Sequence, residues 1–274
     1  MEKKKILIVT QEMEPYTDLS IISKIARQLP QFVQEKGMEI RVLMPRFGTI
    51  NERRHRLHEV VRLSGMNIIV DDDDYPLIIK VASLPGARMQ VYFLDNDEFF
   101  KRKQVFEDPD GNPFKDNADR MIFFCKGVVE TVRKFGWPPD IIHCHGWMTG
   151  LIPLFIKEAY NNEPLFENSK LVYSAYENSL EGTFDSDFIK KAAINNLEEE
   201  NLAAYTDGNK ITINNGAINS SDGVILGSEA MAEPVMDIVA KDDTPVLEFI
   251  EPEEGYLNTY LEFYNNLLAE EAEV

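Results

Sequence analysis

Cysteine is scarce in this chain. Only Cys125 and Cys144 occur among the 274 residues, and they do not show the paired spacing of a zinc site. Two cysteines in a chain of this length also do not form the disulfide framework of a small secreted domain. The sequence therefore predicts no disulfide, no metal site and no bound cofactor.

Positive charge is also in short supply. The chain has 28 Lys+Arg against 47 Asp+Glu, which gives a formal net charge of −19 and a sequence pI near 4.6. Proteins that bind nucleic acid through its phosphates need a basic face, and anionic lipid attracts basic segments. The composition therefore predicts neither a nucleic-acid partner nor a membrane partner.

Long apolar runs are absent as well. The first apolar run, residues 6–9, follows three lysines and is too short for the core of a signal peptide or for a membrane span. No other stretch approaches membrane length. The sequence thus predicts a cytoplasmic protein, and the short run is typical of a strand that is covered on both faces.

The chain does contain an alternation of strand-like and helix-like segments. An apolar strand at 5–10, a helical period over 21–33 that ends before Gly37, and a second strand at 39–44 form a βαβ unit. Further strands are predicted at 140–144, 170–174 and 223–226, and further helices at 116–135, 147–160, 188–205 and 228–239. The predicted fold class is α/β, a Rossmann-like doubly wound parallel sheet.

Residues 46–97 interrupt this alternation. Short β-rich runs at 66–70, 77–84 and 89–94 are separated by turn signals with no long helix between them, which predicts an antiparallel hairpin insertion. Four successive aspartates at 71–74 fall in one of the turns. An exposed hairpin turn is favoured over a cation site there, because a calcium loop alternates its ligands and needs a glycine bend.

The last segment, residues 241–274, is strongly acidic. It holds ten acids and one lysine, a local charge of 1 − 10 = −9. Aromatic and leucine side chains nevertheless recur in it at helical spacing, which gives the segment an apolar face. We expect a Rossmann-like domain over 1–240 and an acidic amphipathic C-terminal helix within 241–274, which packs back on the domain or on a protein partner. The apolar residues of that helix are Tyr256, Tyr260, Phe263, Tyr264, Leu267 and Leu268.

Two polar clusters carry the residue types that chemistry needs. His143 and His145 end a predicted buried strand, and ligands of doubly wound sheets bind at the carboxyl ends of the strands. Imidazoles there can bind sugar hydroxyls or move protons, although a pair of hydrogen-bonded core histidines is the plainer interpretation. The second cluster begins a helix, where Asp116 or Asn117 can cap the first amides and Arg120 can pair with Asp116 or contact a ligand.

Several motifs along the chain share the order and spacing of one known family. They are Glu12-Met13-Glu14-Pro15 after the first strand, Leu29-Pro30, residues 37–45 (GMEIRVLMP), residues 116–120 (DNADR), residues 140–147 (DIIHCHGW) and residues 181–184 (EGTF). Together they resemble the N-terminal half of bacterial glycogen synthases and plant starch synthases, glycosyltransferase family 5. The resemblance extends from residue 5 to about residue 240.

That resemblance implies a fold, a reaction and a set of site residues. Enzymes of this family have two Rossmann-like domains, the GT-B architecture, and transfer glucose from ADP-glucose to the non-reducing end of an α-1,4-glucan. The motif match implies His145 and Asp116 as residual catalytic residues, and it implies substrate-binding roles for other residues of the same motifs. The implied substrate-binding residues are Asn117, Arg120, His143 and Trp147.

The departures from the family pattern concern the donor phosphates. Where the family has K-T-G-G-L, spacing places Asp18 at the lysine and Ser20-Ile21 at the two glycines. A carboxylate there repels a diphosphate, and side chains block a close backbone approach. Gly146, Met148 and residues 174–177 (SAYE) replace further family residues. The family's second domain, which holds most donor contacts, is also expected to be missing from this chain.

Three functional hypotheses follow. The first is a domain of α-glucan biosynthesis that binds glucan or maltooligosaccharide but is weak or inactive alone, a pseudoenzyme for which ADP-glucose is a doubtful ligand. The second is an ADP-glucose-dependent glucosyltransferase completed by a separate C-terminal-type subunit. The third is a non-catalytic interaction module that contacts a protein partner through its C-terminal helix. The sequence favours the first, because crevice residues remain while the phosphate-binding turn is changed.

Overall fold

The computed structural model describes residues 3–177, 184, 187–241 and 243–269. Within them a ten-stranded sheet runs through the molecule, with helices against its faces. Its strands are β1 (Lys5–Thr10), β2 (Glu39–Pro45), β3 (His58–Glu59), β4 (Met66–Val70), β5 (Asp73–Ser83), β6 (Gln90–Asp95), β7 (Ile141–His145), β8 (Lys170–Ala175), β11 (Gly223–Leu226) and β12 (Val246–Leu247). The short β9 (Thr206–Asp207) and β10 (Lys210–Ile211) pair separately.

Helices connect these strands. They are α1 (Ile21–Glu35), α2 (Glu52–His55), α3 (Asp97–Phe100), α4 (Asn117–Phe135), α5 (Ile152–Leu154), α6 (Asp187–Ala192), α7 (Ile213–Asn219), α8 (Glu233–Val239) and α9 (Tyr256–Ala269). Among the described residues, none of these helices combines the length and apolar character needed to cross a bilayer.

The sheet is mostly parallel and reverses its direction of growth at β1. Its order is β12-β11-β8-β7-β1-β2-β6-β5-β3, and β4 pairs with β5. The strands from β12 to β6 are parallel, whereas β5 is antiparallel to β6, β3 and β4. The strands β2 to β6 lie on one side of β1, and the strands β7, β8, β11 and β12 lie on the other side. The predicted α/β doubly wound fold is confirmed.

Continuous apolar runs explain the central strands. In β1 every residue from Ile6 to Thr10 is buried, because helices cover both faces of the sheet. Helix α1 begins at the N-cap Ser20, whose hydroxyl accepts from the amide of Ile22 at 3.2 Å, and its apolar residues face the sheet. Helix α4 ends at Gly136, which has a φ of +58°.

Strands of the segment predicted as an antiparallel insertion belong to the main sheet. The pairs β4–β5 and β5–β6 are antiparallel hairpins, as predicted. However, β6 also pairs in parallel with β2, so β5 and β6 extend the sheet instead of forming a separate unit. Burial explains this, because Val91, Phe93 and Leu94 are all covered. Asp71 and Asp72 form an exposed turn, with Asp71 at a φ of +56°.

Three predicted helices are shorter or more broken than their patterns suggested. Residues 147–160 comprise a 3₁₀ turn (Trp147–Thr149), α5 and a π-helical stretch (Phe155–Ala159). Residues 188–205 comprise α6 and a 3₁₀ segment (Glu199–Tyr205), divided near Asn195, which adopts a φ of +52°. Helix α8 begins only at Glu233, since Pro234 favours the first helical turn.

The C-terminal segment packs on its own chain. The apolar face of α9 is buried against α1 and the sheet, and the hydroxyl of Tyr256 donates to Gln28 Oε1 at 2.8 Å. Phe263 and Leu267 lie against Gly223, where a Cβ would meet them at 2.9–3.2 Å. Strand β12, which was not predicted, also joins the sheet beside β11. The first alternative for the C-terminal helix, packing on the domain, is confirmed.

Candidate functional site

The principal cavity lies at the carboxyl ends of the parallel strands. Its volume is about 670 Å³, and its lining includes the residues that follow β1, β7, β8 and β11, namely Gln11, Gly146, Tyr176 and Ser228. The sheet reverses its growth between β1 and β7, which are neighbours in it. Ligands of doubly wound sheets bind at this switch point, because the chain segments diverge there and leave a crevice.

The turn between β1 and α1 forms one wall of the cavity. The buried carboxylate of Glu12 accepts hydrogen bonds from the amide of Leu19 at 2.7 Å, the amide of Ser20 at 2.8 Å and the hydroxyl of Ser20 at 2.6 Å. The hydroxyl of Ser20 also accepts from the amide of Ile22. Three amides around the start of α1 thus donate to groups of the chain itself. The amide of Ile22 donates to the Ser20 hydroxyl, and the amides of Leu19 and Ser20 donate to the Glu12 carboxylate. This carboxylate lies where helix N-termini attract anions.

The residues that depart from the family pattern stand on the same turn. Asp18 is exposed, and its carboxylate accepts from the hydroxyl of Ser23 at 2.8 Å. Leu19 is 52% exposed, and Ile21 is half-buried in the cavity wall. The turn therefore offers a second carboxylate and apolar bulk to a ligand that approaches α1.

The charge of the cavity lining is negative. Of the residues that the structure describes, four acidic side chains and one lysine line it. Arg27, further along α1, does not compensate, because its guanidinium donates to Gln31 and to the carbonyl of Pro85. An electronegative wall disfavours a diphosphate and tolerates a neutral ligand. The charged lining residues are Glu12, Glu107, Asp108, Glu177 and Lys103.

His143 is a buried structural residue in this arrangement. Its Nδ1 lies 2.6 Å from the hydroxyl of Tyr264 on α9, and its Nε2 lies 2.7 Å from Ser174 Oγ. Burial, together with the neighbouring His145, holds the pKa of His143 well below its ordinary value. The imidazole is therefore neutral at physiological pH, and both of its nitrogens have protein partners.

His145 lies beside the cavity but is covered. Its ring stacks on that of His143 with centroids 3.8 Å apart, and its Nδ1 lies 3.2 Å from the hydroxyl of Tyr176. The Nε2 atom is buried and has no hydrogen-bond partner among the described residues. Burial lowers the pKa of His145 to about 3. Tyr176, and not His145, lines the cavity at this position.

Gly146 occupies a position that has no room for a side chain. The residue has a φ of +82°, and a Cβ on it would lie 2.4 Å from Oε1 of Gln11. Gln11 Oε1 in turn accepts from the amide of Met148 at 3.3 Å. The side chain of Gln11 therefore fills the space into which a side chain at position 146 would project.

The aromatic part of the cavity is formed by Trp147 and Phe106. Trp147 is buried, and its ring lies 5.0 Å from that of Phe106 in an edge arrangement and 5.6 Å from that of Phe184. Trp147 and Phe106 both line the cavity. The structure thus places the predicted substrate-binding Trp147 at the cavity. The motif residues Glu181, Gly182 and Thr183 lie outside the described residues.

Asp116, Asn117 and Arg120 begin α4 behind this aromatic wall. Asp116 is the N-cap residue, but its side chain makes no capping bond and instead forms a bidentate pair with Arg102. Asn117 and Arg120 are each 1% exposed and bond backbone carbonyls of the chain before α4. None of the three lines the cavity, and their predicted contact with substrate stays a prediction.

The described residues do not bring together three His, Cys, Asp or Glu side chains that could hold a metal ion. Both cysteines are buried and free, and burial raises the pKa of each thiol. The thiol of Cys125 donates to the carbonyl of Met148 at 3.2 Å. Neither cysteine reaches the cavity, so both have packing environments only.

Sequence reasoning missed several residues that build this site. Gln11, Phe106 and Tyr176 line the cavity, and Glu12 was noted only as part of a turn motif. The position of Gln11 directly after β1 at the switch point was an available signal. Phe106 carried none, since it lies in an irregular segment far from any motif.

Comparison with known proteins agrees with this geometry. The family described as starch synthase catalytic domain matches residues 5–243. The glycogen synthase of Chlorobium limicola is 35% identical over 233 residues, and that of Chlorobaculum tepidum is 37% identical over 235 residues; each alignment covers 85% of this chain and 47% of the relative. The chain therefore spans about half the length of these relatives.

A solved structure shares the fold. The catalytic domain of starch synthase IV from Arabidopsis thaliana, bound to ADP and acarbose, superposes with a TM-score of 0.75 at 18% sequence identity. The match covers 91% of this chain and 52% of the plant chain. At this identity the similarity establishes a common fold.

Proposed function

The chain belongs to the starch synthase catalytic domain family, and on that premise we propose that it works in α-glucan biosynthesis as a glucan-binding domain that does not itself turn over ADP-glucose. The observation that carries the proposal is the turn before α1, where the exposed carboxylate of Asp18 stands at the position that the family resemblance gives to a lysine. Transfer from a nucleotide sugar needs positive charge at the departing diphosphate. The turn supplies the opposite charge.

The covered imidazole supports the same conclusion. A histidine beside the transferred sugar must reach it, whereas His145 is fully buried and bonded to Tyr176. With a pKa of about 3, its ring neither carries a positive charge nor donates a proton readily at neutral pH. The histidine that the family resemblance implies is therefore present in the chain, but its ring does not reach a ligand in the cavity.

The cavity still has the features of a carbohydrate site. Trp147, Phe106 and Tyr176 offer aromatic surface, on which the C–H faces of sugar rings pack. Gln11 and Gln104 add amide groups in the lining, and sugar hydroxyls match such donors and acceptors. A neutral maltooligosaccharide meets no charge penalty against the acidic wall.

Calorimetric titration with maltoheptaose and with ADP-glucose tests the proposal. We expect measurable binding of maltoheptaose, no binding of ADP-glucose, and no glucan elongation when both are present. Phe106→Ala should weaken maltoheptaose binding by removing part of the aromatic wall. Phe135→Ala, which truncates a half-buried aromatic residue at the other end of α4, is the matched control and should not weaken it.

Three outcomes would contradict the proposal. Glucan elongation by the purified chain would show that the turn supports transfer. Absence of maltoheptaose binding would remove the glucan role and leave an interaction module. Elongation that appears only after a separate donor-binding subunit is added would favour the two-subunit enzyme instead.

A further inference from the structure

We propose that Asn117 and Arg120 are positioning residues that set ligand affinity by holding one wall of the cavity, and that they do not contact the ligand. The wall is the segment of residues 103–108, which lines the cavity and is neither helix nor strand apart from one bridge residue. The choice of maltoheptaose as its ligand rests on the proposed function. The positioning itself can be measured without any ligand.

The first support is the set of bonds to the wall. Arg120 donates from Nη1 to the carbonyl of Val105 at 2.7 Å and from Nε to the carbonyl of Phe99 at 2.8 Å. Asn117 donates from Nδ2 to the carbonyl of Phe106 at 2.9 Å, and its Oδ1 accepts from Arg120 Nη1 at 2.8 Å. Two adjacent carbonyls of an irregular segment are therefore fixed to the first turn of α4.

The second support is what the wall carries. The ring of Phe106 lies between Trp147 at 5.0 Å and Phe47 at 5.5 Å. The amide of Phe114 also donates to the carbonyl of Phe106 at 3.0 Å, which anchors the same residue from the other side. The backbone of this segment is paired only around the bridge between Glu107 and Pro113, so the side-chain bonds from Asn117 and Arg120 add the anchors that hold the Phe106 ring over the cavity.

The third support is the way in which the charge of Arg120 is held. The guanidinium is buried, and it makes no direct bond to a carboxylate among the described residues. The rings of Phe47, Phe100 and Phe114 lie 5.5–5.7 Å from it. Burial lowers the pKa of Arg120 to about 10, so the charge remains at neutral pH. Backbone carbonyls and aromatic rings stabilise the positive charge of the guanidinium, which therefore serves to bind the wall.

Asp116 completes the arrangement from the surface side. Its carboxylate pairs with Arg102, which directly precedes the wall, and the Arg102 guanidinium lies 4.5 Å from the ring of Phe114. The three residues that the sequence resemblance implied as ligand contacts thus all bond the chain at or beside the wall. A ligand that contacted Asn117 Nδ2, or Nε or Nη1 of Arg120, would have to displace one of these bonds, whereas Nη2 of Arg120 is buried and has no partner among the described residues.

Trp147 fluorescence measures the position of the wall directly. In a Trp137→Phe background, Trp147 is the single tryptophan of the full chain, since the chain has two. We expect Asn117→Ala to shift the Trp147 emission to the red and to increase its quenching by acrylamide, because Phe106 no longer covers the ring. In the same variant the Kd for maltoheptaose should rise about fivefold to tenfold.

Matched variants separate positioning from general stability. Thr131→Ala removes a buried polar group on α4 whose hydroxyl donates only to Gly127 within the helix. It should lower the melting temperature and leave the Trp147 emission and the Kd unchanged. Arg120→Lys keeps the charge and can reach one carbonyl, so it should give an intermediate emission shift. If Arg120→Lys does not fold, Asn117→Ala alone decides the question.

Unchanged Trp147 emission in folded Asn117→Ala protein would overturn the inference, as would a changed emission with an unchanged Kd. If the parent protein binds no maltoheptaose, the proposed function fails, while the emission and quenching of the ligand-free protein still decide whether these residues hold the wall.

Discussion

Reversing the charge of the turn before α1 should create an ADP site. The variant combines Asp18→Lys with Ser20→Gly and Ile21→Gly, which replaces a carboxylate by an ammonium and removes two side chains from the approach to the helix N-terminus. Asp18 is exposed, so its electrostatic interaction with a ligand is screened by the solvent as in bulk water. We expect the triple variant to bind ADP measurably and the parent protein not to bind it.

The magnitude follows from Coulomb's law. Two unit charges ~5 Å apart in water interact by about 0.8 kcal/mol, and salt at ~0.15 M reduces this to about half. Changing −1 to +1 beside a diphosphate that carries roughly two nearby charges therefore favours binding by about 1.5 kcal/mol, or roughly tenfold in Kd. Removal of side-chain bulk adds to this value, because backbone amides can then approach the phosphates.

Calorimetric titration of ADP at low and at high salt checks the reasoning. Asp18→Asn is the matched control, since it removes the charge at constant shape and should give about half of the electrostatic gain. The gain should shrink as salt rises. Replacing the Ser20 cap by glycine costs about a few tenths of a kcal/mol of stability, and the second glycine adds backbone freedom at the start of α1, so folding of the triple variant is confirmed first by thermal unfolding. Equal ADP affinity in the parent, Asp18→Asn and triple variants would refute the electrostatic argument.

Three further predictions concern the residues around the covered imidazole. Because the pKa of His145 is about 3 in the folded chain and about 6.5 when unfolded, this residue should lower the free energy of unfolding by about 1.4 kcal/mol per pH unit as pH drops from 6.5 towards 3. His143, whose pKa is also held low, adds to the fall. Urea titrations should therefore show a shallower fall in His145→Gln than in the parent, and an equal fall in both would contradict this assignment. Gly146→Ala should destabilise the chain by about 1–3 kcal/mol, and adding Gln11→Ala should recover part of this loss in thermal unfolding, since the clash is with that side chain. Tyr176→Ala should open His145 to the cavity and raise its pKa towards 6.5, which an NMR titration measures; an unchanged pKa would show that another group covers the ring.

Periodicity was enough to predict the sheet and its longest helices. The buried run at β1 and the amphipathic pattern of α1 need only the neighbouring residues to be recognised. Strand β6 was assigned to an insertion because its hairpin with β5 is local, whereas its parallel pairing with β2 is a long-range contact that no local pattern encodes.

Helix breaks were harder to predict than helices. The apolar spacing of residues 188–205 continues through Asn195, yet that residue takes a left-handed backbone and divides the segment. Apolar spacing reports which side chains are covered, and covered side chains occur in 3₁₀ segments as readily as in α-helices. Tertiary packing therefore decided the local conformation.

The location of the site could be predicted, but the orientation of its side chains could not. The structure places Trp147, which belongs to the motif at β7, in the lining of the crevice, and its contact with substrate stays a prediction. The motif gave no sign that Tyr176 would cover His145, because these residues meet only through the pairing of β7 with β8. Similarly, Arg120 has the sequence position of a ligand contact, and only the folded chain shows its bonds to the carbonyls before α4.

The most direct test of the central claim is a crystal structure of the full chain soaked with both ADP-glucose and maltoheptaose. We expect glucan density against Trp147 and Phe106, with no ordered diphosphate at the start of α1. An ordered diphosphate bonded to the amides near Ser20 and beside Asp18 would contradict that claim.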